Sequence, residues 1–231
     1  MNISNFMQKM LMSAAFIVIP IAIVKYFGMD KKDLSGIYSV ATVFGFIAMG
    51  IGGAIGETKR ITKQILVIGV SLFVVCYGLF ALSLGHKPLF YAGVIIFFIG
   101  FNLHEPILQS MASKFSKVSQ KGAVLGIFNA FGYMGSFIGG IGGGALLKFY
   151  GLSALSAVVT VLCVAWLVAL KWLDNPNIFK NIYLPSSANA DMATLEMQKG
   201  VVECYKTAQN LVVKYNSKLT DEAAIKRIIG I

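Results

Sequence analysis

Residues 97–110 read Phe97-Phe98-Ile99-Gly100-Phe101-Asn102-Leu103-His104-Glu105-Pro106-Ile107-Leu108-Gln109-Ser110. They lie inside a longer apolar run, Leu89 to Ala112, which is long enough to cross a bilayer as helix; about 20 residues suffice. Polar side chains inside such a crossing are costly, so their placement carries information. Asn102, Glu105, Gln109 and Ser113 follow i, i+3, i+7, i+11 and share one helical face. His104 adjoins Glu105 in sequence but points about 100° away around the helix, so the two do not form a proton relay by adjacency alone. Pro106 removes a backbone donor beside Glu105 and loosens the helix there.

Five more stretches have the same character: Phe6 to Phe27, Ser35 to Gly56, Ile65 to Leu84, Ala123 to Phe149, and Leu152 to Leu173. Short polar segments separate them. Composition agrees with a membrane protein, since 57% of residues are hydrophobic and only 13% charged; ordinary globular chains carry about 25% charged residues. The formal net charge of +10 is concentrated in the short loops. Lysines placed there meet lipid headgroups and set topology rather than bind nucleic acid. Six crossings put both ends on one side, and loop lysines and arginines favour a cytoplasmic location for both termini. The N-terminus does not read as a cleaved signal, its first apolar run being too long and too polar at the start.

After Trp172 the composition changes. The expected division is a six-helix transmembrane region over 1–173, a linker over 174–177 and a small cytosolic domain over 178–231. In the last, Ile178 to Leu184 reads as a strand and Ala190 to Gln198 as a helix. Val201 to Tyr205 and Leu211 to Tyr215 read as strands, and Asp221 to Ile229 as a helix with Thr220 as N-cap. The order β-α-β-β-α is that of a ferredoxin-like split βαβ lacking its last strand. The fold class is thus an all-α membrane bundle with a small α+β domain.

Glu105 is the only carboxylate in the interior of the six runs, and two readings are open for it. It lines a water-filled path where it loads a proton or meets a cationic substrate, or it pairs with a lysine and fixes packing. For His104 the packing reading is favoured. The fifth run carries Asn129, Tyr133 and Ser136 at i, i+4, i+7, and either helix–helix hydrogen bonds or substrate contact fit them. Gly132, Gly135, Gly139 and Gly143 form another face of that run, and Gly45, Gly52 and Gly56 mark the second; small residues let helices approach closely. The third and sixth runs lack such stripes and read as lipid-facing. Pro20 predicts a kink in the first. Cys76, Cys163 and Cys204 are far apart, form no CxxC pair, and read as space-filling. No nucleophile–base pair, metal-ligand cluster or phosphate loop is apparent, so an enzyme is not expected, nor a cofactor or metal.

The order of features resembles the last six helices of major facilitator superfamily (MFS) transporters, above all the YajR-type proton-linked exporters with a C-terminal ferredoxin-like domain. The resemblance runs from Asn5-Phe6 to Pro20, through Phe97-Phe98, Gly100-Phe101-Asn102 and Glu105. It continues over Ser113-Lys114, Lys121-Gly122, Gly126 and the glycines from Gly135 to Gly144. It implies a C-terminal MFS half with Glu105, Asn102, Gln109, Asn129, Tyr133 and His104 along the proton and substrate pathway. It also implies a gating loop at Glu57, Lys59 and Arg60, although the family's usual glycine is replaced around Arg60. The first six helices of that family, which carry much of its proton-coupling and substrate machinery, have no counterpart in this sequence. The tail resembles heavy-metal-associated domains through Leu195, Gly200-Val201 and Val212 to Tyr215. The loop that would hold their CxxC reads Pro185-Ser186-Ser187-Ala188-Asn189 and offers soft metals no ligands. A docking or regulatory module fits better.

The resulting expectation is proton-coupled efflux of small molecules across a bacterial inner membrane. The expected partners are the lipid bilayer, a small-molecule substrate, the proton, and a second six-helix half or a second copy making a homodimer. MFS halves enclose their substrate between them, so the Gly132 to Gly143 face is expected to meet that second half. A non-transporting membrane subunit with a regulatory docking domain, or an inactive remnant of a split transporter gene, are the alternatives.

Overall fold

A computed structural model describes residues 1–185 and 192–229. The chain divides into two compact units, the first formed by residues 1–112 and 124–173 and the second by 113–123 together with the chain from Asp174 onward.

The first unit is helical. Its elements are α1 (Asn2–Lys25), α2 (Lys31–Thr58), α3 (Thr62–Leu82) and α4 (Lys87–Phe115), followed by a continuous 49-residue helical stretch, Lys121–Ala169. All five are long and apolar enough to cross a membrane. The last stretch breaks at Gly151, whose φ of 80° and ψ of −178° are open to glycine and not to L side chains. Its two arms, α5 (121–150) and α6 (152–169), run in opposite directions. Along α5, Gly132 backs onto Asn5, Gly143 onto Ala14, and a Cβ at Gly151 would lie 3.5 Å from Tyr26 Oη at the far end of α1. Along α6 the chain returns, and Trp166 Nε1 donates to Ser4 Oγ at 3.3 Å, at the beginning of α1. The five helical elements therefore provide six crossings. The helices extend past the apolar runs into polar caps. Lys31-Lys32-Asp33, expected in a loop, form the first turn of α2, where the Asp33 carboxylate accepts from Asp30 N–H at 3.2 Å.

Large apolar side chains fill the centre. Leu11, Ile19 and Ile23 of α1, Phe73, Tyr77 and Phe80 of α3, and Phe90 and Phe97 of α4 are fully buried. Tyr77 Oη donates to Leu11 O at 3.1 Å, which satisfies its hydroxyl inside the core. Phe73, Tyr77 and Phe80 occupy only one face of the third crossing. The third and sixth crossings both keep exposed apolar faces, Ile68 and Val75 on α3 and Val158, Val161 and Val164 on α6, which agrees with a lipid-facing side. Alongside the buried aromatics of α3, α6 buries Leu155, Cys163 and Trp166. Bulky aromatics fill the middle of the bundle on these inward faces without a small-residue stripe. The helix that does present most of its surface outward is α2, through Val40, Val43, Phe46, Ile47 and Ile51.

The glycine face of α5 corrects one expectation. Gly132, Gly135, Gly139 and Gly143 are spent inside this bundle, against α1, and not on a second half. A Cβ at Gly135 or Gly139 would run into the backbone of Phe6 or Met10, and one at Gly143 would lie 2.9 Å from Ala14 Cβ. Likewise Gly45 of α2 receives Asn102 and Phe98 of α4, and Gly56 receives Ile107.

At the end of α2 the chain turns through a Schellman motif. Ile61 N–H reaches Gly56 O at 3.1 Å and Arg60 N–H reaches Glu57 O at 3.3 Å. The residue in the left-handed position is Arg60, with φ of 55°, where glycine is the usual occupant.

In the second unit, β1 (Phe179–Pro185), α7 (Met192–Met197), β2 (Val201–Lys206), β3 (Asn210–Asn216) and α8 (Glu222–Ile229) follow in order. β3 lies in the middle, antiparallel to both β1 and β2, which is the split βαβ arrangement. Ile182, Leu184, Cys204, Leu211, Val213 and Tyr215 form one sheet face and pack with Leu195 of α7 and Ile225 of α8. Alternation along a strand sends Val212, Lys214 and Glu203 to the other face, yet these are buried too. The cap of α8 is Asp221, whose carboxylate accepts from Ala224 N–H at 2.7 Å, and not Thr220 as expected; the charged side chain at the position adjoining the helix takes the first-turn donor. The expected metal-loop counterpart at Ser186 to Asn189, and the first residues of the expected helix at 190 and 191, lie outside the described residues.

Two outcomes follow from this packing. Gly139→Ala should lower the thermal stability of the purified chain by about 1–3 kcal/mol, the usual cost of overpacking a closed contact. Gly142→Ala, where an added methyl meets nothing within 4 Å, should be neutral or slightly stabilising; equal effects would refute the α1–α5 contact. Arg60→Gly should raise stability by about 1 kcal/mol by removing a left-handed non-glycine residue. An unchanged or lower midpoint would mean that the arginine side chain repays the backbone cost.

Candidate functional site

The first turns of α1 carry Asn5, Gln8 and Lys9 at i, i+3 and i+4, a short polar face on an otherwise apolar helix. The close approach of α1 to α5 fixes where that face points. Asn5 Nδ2 donates to Phe128 O of α5 at 2.6 Å, and the aliphatic stem of Lys9 lies against Gly132. On the α4 side the same face meets Glu105. Lys9 Nζ donates to both carboxylate oxygens, at 3.0 and 2.9 Å, and Gln8 Nε2 donates to Oε2 at 3.0 Å. The Lys9 ammonium also stands 5.4 Å from the Phe101 ring centre, where the π face favours a cation.

Exposure is graded across this cluster. Gln8 is 1% exposed, whereas the Lys9 and Glu105 side chains keep 23% and 33% of their surface. Gln8 Oε1 is buried without a hydrogen-bond partner among the described residues. The amide can rotate to offer Glu105 either its NH₂ or its carbonyl. The cluster therefore has donors for an ionised carboxylate and an acceptor for a protonated one.

His104 faces elsewhere. It is fully buried, its Nε2 lies 2.8 Å from Leu66 O of α3, and its ring meets Phe73 and Trp166 edge-on at 5.2 and 5.3 Å. Gly69 leaves the room it occupies. Asn102 is half-buried, donates to Phe98 O at 2.9 Å within its own helix, and packs on Gly45. Gln109, Asn129 and Tyr133 are exposed, Tyr133 at 76%. They line the outer side of α4 and α5 and are not brought into the Glu105 cluster. Of the expected gating loop, Glu57 accepts from Ser110 Oγ of α4 at 2.5 Å, Lys59 caps α2, and Arg60 occupies the left-handed turn.

Sequence reasoning did not select Asn5, Gln8 and Lys9, although their i, i+3, i+4 spacing was a usable signal. It also left out an aromatic group beyond the cluster, where Phe16 of α1, Tyr38 of α2 and Phe98 of α4 meet at centroid distances of 5.6–6.0 Å. The Tyr38 hydroxyl there has no hydrogen-bond partner among the described residues. No spacing rule links rings on three helices.

The family model described as Major Facilitator Superfamily matches residues 1–197. The chain is 29% identical over 169 residues to a protein of Buchnera aphidicola named "Uncharacterized transporter", covering 72% of this chain and 43% of that protein. It is 27% identical over 180 residues to "Inner membrane transport protein YajR" of Escherichia coli, covering 75% of this chain and 40% of that one. A third relative, the "Uncharacterized MFS-type transporter YttB" of Bacillus subtilis, is 31% identical over 100 residues, 43% of this chain and 25% of the relative. The chain thus spans about two-fifths of the length of the first two relatives. A six-crossing apolar bundle, a polar cluster inside it and a family match over most of the sequence agree, and the chain belongs to the Major Facilitator Superfamily.

Proposed function

We propose that this chain supplies one wall of a proton-coupled small-molecule exporter, and that Glu105 is its proton site. The observation that carries the proposal is the cluster itself: a carboxylate within a membrane helix, held by Lys9 and Gln8 and still one-third exposed. As long as Glu105 is ionised it neutralises Lys9, and the pair is far cheaper in a membrane than either charge alone. A proton arriving at Glu105 cancels that attraction and leaves Lys9 to find another partner. A cationic substrate competes for the same carboxylate in the same way. Either event changes what holds α1 to α4, as a coupled transporter requires.

The outer surface supports a second wall. Polar side chains facing lipid are costly, so Tyr133, Asn129 and Gln109 on exposed faces of α5 and α4 fit a water-filled cavity better than hydrocarbon. Family halves enclose their substrate site between them. A further six helices, on the same or another chain, or a second copy of this one, would close it. The aromatic group of Phe16, Tyr38 and Phe98 suits an amphipathic or aromatic substrate. The loop lysines and the name of the Escherichia coli relative, an inner membrane transport protein, support placement in a bacterial inner membrane with both termini in the cytoplasm.

The same salt bridge favours one other reading, in which Lys9 and Glu105 only fasten α1 to α4. The two readings separate in a double-mutant cycle on the chain assembled with its second half. Lys9→Met or Glu105→Gln alone should lower stability by about 1–2 kcal/mol, less than for a fully buried pair because both side chains are partly exposed. The double variant should recover most of that loss. Proton-driven flux in everted vesicles should fall to background in Glu105→Gln and stay there in the double variant. Flux that returns together with stability would leave only the fastening role.

A further inference from the structure

The buried face of the small sheet holds two charges whose partners lie in one segment of the chain, the connection between α4 and α5. Glu203 of β2 and Lys214 of β3 stand opposite each other in the strand register and are 6% and 8% exposed. Glu203 Oε2 accepts from Val118 N–H at 2.6 Å, and Oε1 accepts from the Ser119 N–H and hydroxyl at 3.1 and 3.2 Å. Lys214 Nζ donates to Lys114 O at 2.7 Å and to Ser116 O at 2.6 Å. Phe179 of β1 completes the contact, its ring meeting that of Phe115 at 5.6 Å with the Lys214 ammonium 5.7 Å from its centre.

The signs of these charges are matched to the backbone they touch. α4 ends at Phe115, so its last carbonyls have no helical donors left, and an ammonium answers them. A 3₁₀ turn, Val118–Gln120, leads into α5, and its first N–H groups meet a carboxylate. Reversed, each charge would face a dipole of its own sign. Burial pushes the Glu203 carboxyl up, but the Val118 and Ser119 donors and Lys214 bring it below its ordinary value. Burial and Lys121 hold the Lys214 ammonium somewhat low, against the pull of Glu203. Nearly all of these bonds go to main-chain atoms, so the recognition is written in the small domain's sheet and not in the side chains of the connection.

We propose that this sheet face is a docking surface for the chain's own segment 114–119, and that through it the small domain acts as a clamp on the α4–α5 hairpin. The end of α4 and the start of α5 are held at fixed separation as long as Glu203 and Lys214 stay engaged. The small domain then restrains two helices of the transport body, a role that needs no metal and no separate partner. The proposal does not depend on Glu105 being a proton site.

The test is hydrogen exchange on the full chain in lipid nanodiscs. Val118→Pro removes one of the Glu203 donors and little else. Proline is welcome at the first position of a helical turn, and Lys117 before it is extended, with φ of −72° and ψ of 151°. Exchange at Ser119 and Gln120 should quicken by about tenfold or more, the scale of losing hydrogen bonds to a charged group. It should also quicken in the adjoining turns at 108–112 and 124–128, while the amides of β3 stay protected. Glu203→Gln should do the same from the other side; if it also strips protection from the strands, Val118→Pro alone decides. Unchanged exchange at 119–120 would overturn the docking, and a freed connection with unchanged adjoining turns would overturn the clamp.

Discussion

Two helix backbones touch only where neither has side chains in the way, and the approach of α5 to α1 is the constraint from which much of this bundle follows. Gly132, Gly135, Gly139 and Gly143 place α5 directly on the main chain of Phe6, Met10 and Ala14. In a bilayer no hydrophobic force drives helices together, so this close van der Waals fit has to supply the association. It also sets the rotation of α1. With Asn5 tied to Phe128 O and the Lys9 stem laid on Gly132, the remaining polar groups of that turn turn toward α4. The position of Lys9 over Glu105 is thus a consequence of four missing side chains on a third helix.

Within that frame, adjacent polar residues of α4 meet opposite fates. His104 is sealed among Phe73, Trp166 and the α3 backbone, with room only because Gly69 has no side chain. Glu105 keeps access to the surface and is held by side chains, a lysine and an amide that can offer either a donor or an acceptor. One hundred degrees of helix rotation separates a sealed residue from a partly exposed one. Chemical type alone would have ranked them the other way, since imidazole titrates nearest neutrality.

What was legible in the sequence had a short-range cause. The six crossings follow from hydropathy and length, the reversal at Gly151 from a dipeptide, and the strand order of the small domain from period-two patterns. The significance of Glu105 could be read because a lone carboxylate in an apolar run is costly wherever it faces. Its partners could not, because they depend on which helix α5 chooses, and a glycine stripe announces close approach without naming the neighbour. The stripe alone therefore fits a second half as well as it fits α1, which takes it. Composition could not say which face of α3 turns inward, because Phe73, Tyr77 and Phe80 in the bundle centre are as apolar as Ile68 and Val75 on its exposed side. Arg60 in a glycine position was visible as a departure from a pattern, and its left-handed backbone gives that departure a physical meaning.

Two pairings of a lysine with a glutamate, Lys9 with Glu105 and Lys214 with Glu203, differ in what each charge is satisfied by. Lys9 and Glu105 satisfy each other, with Gln8 as a reversible third party. Neutralising one at once changes the requirement of the other, so the arrangement is inherently responsive. Glu203 and Lys214 face each other across two strands, but each spends its hydrogen bonds on a different piece of backbone, one on a starting turn and one on an ending helix. Main-chain groups have no protonation state to change and cannot be exchanged for a substrate. A pair built that way ties its segment through bonds that are separate from the Glu105 cluster. If the proposed roles hold, the first pair makes a junction between crossings that can change, and the second holds the connection between two of them.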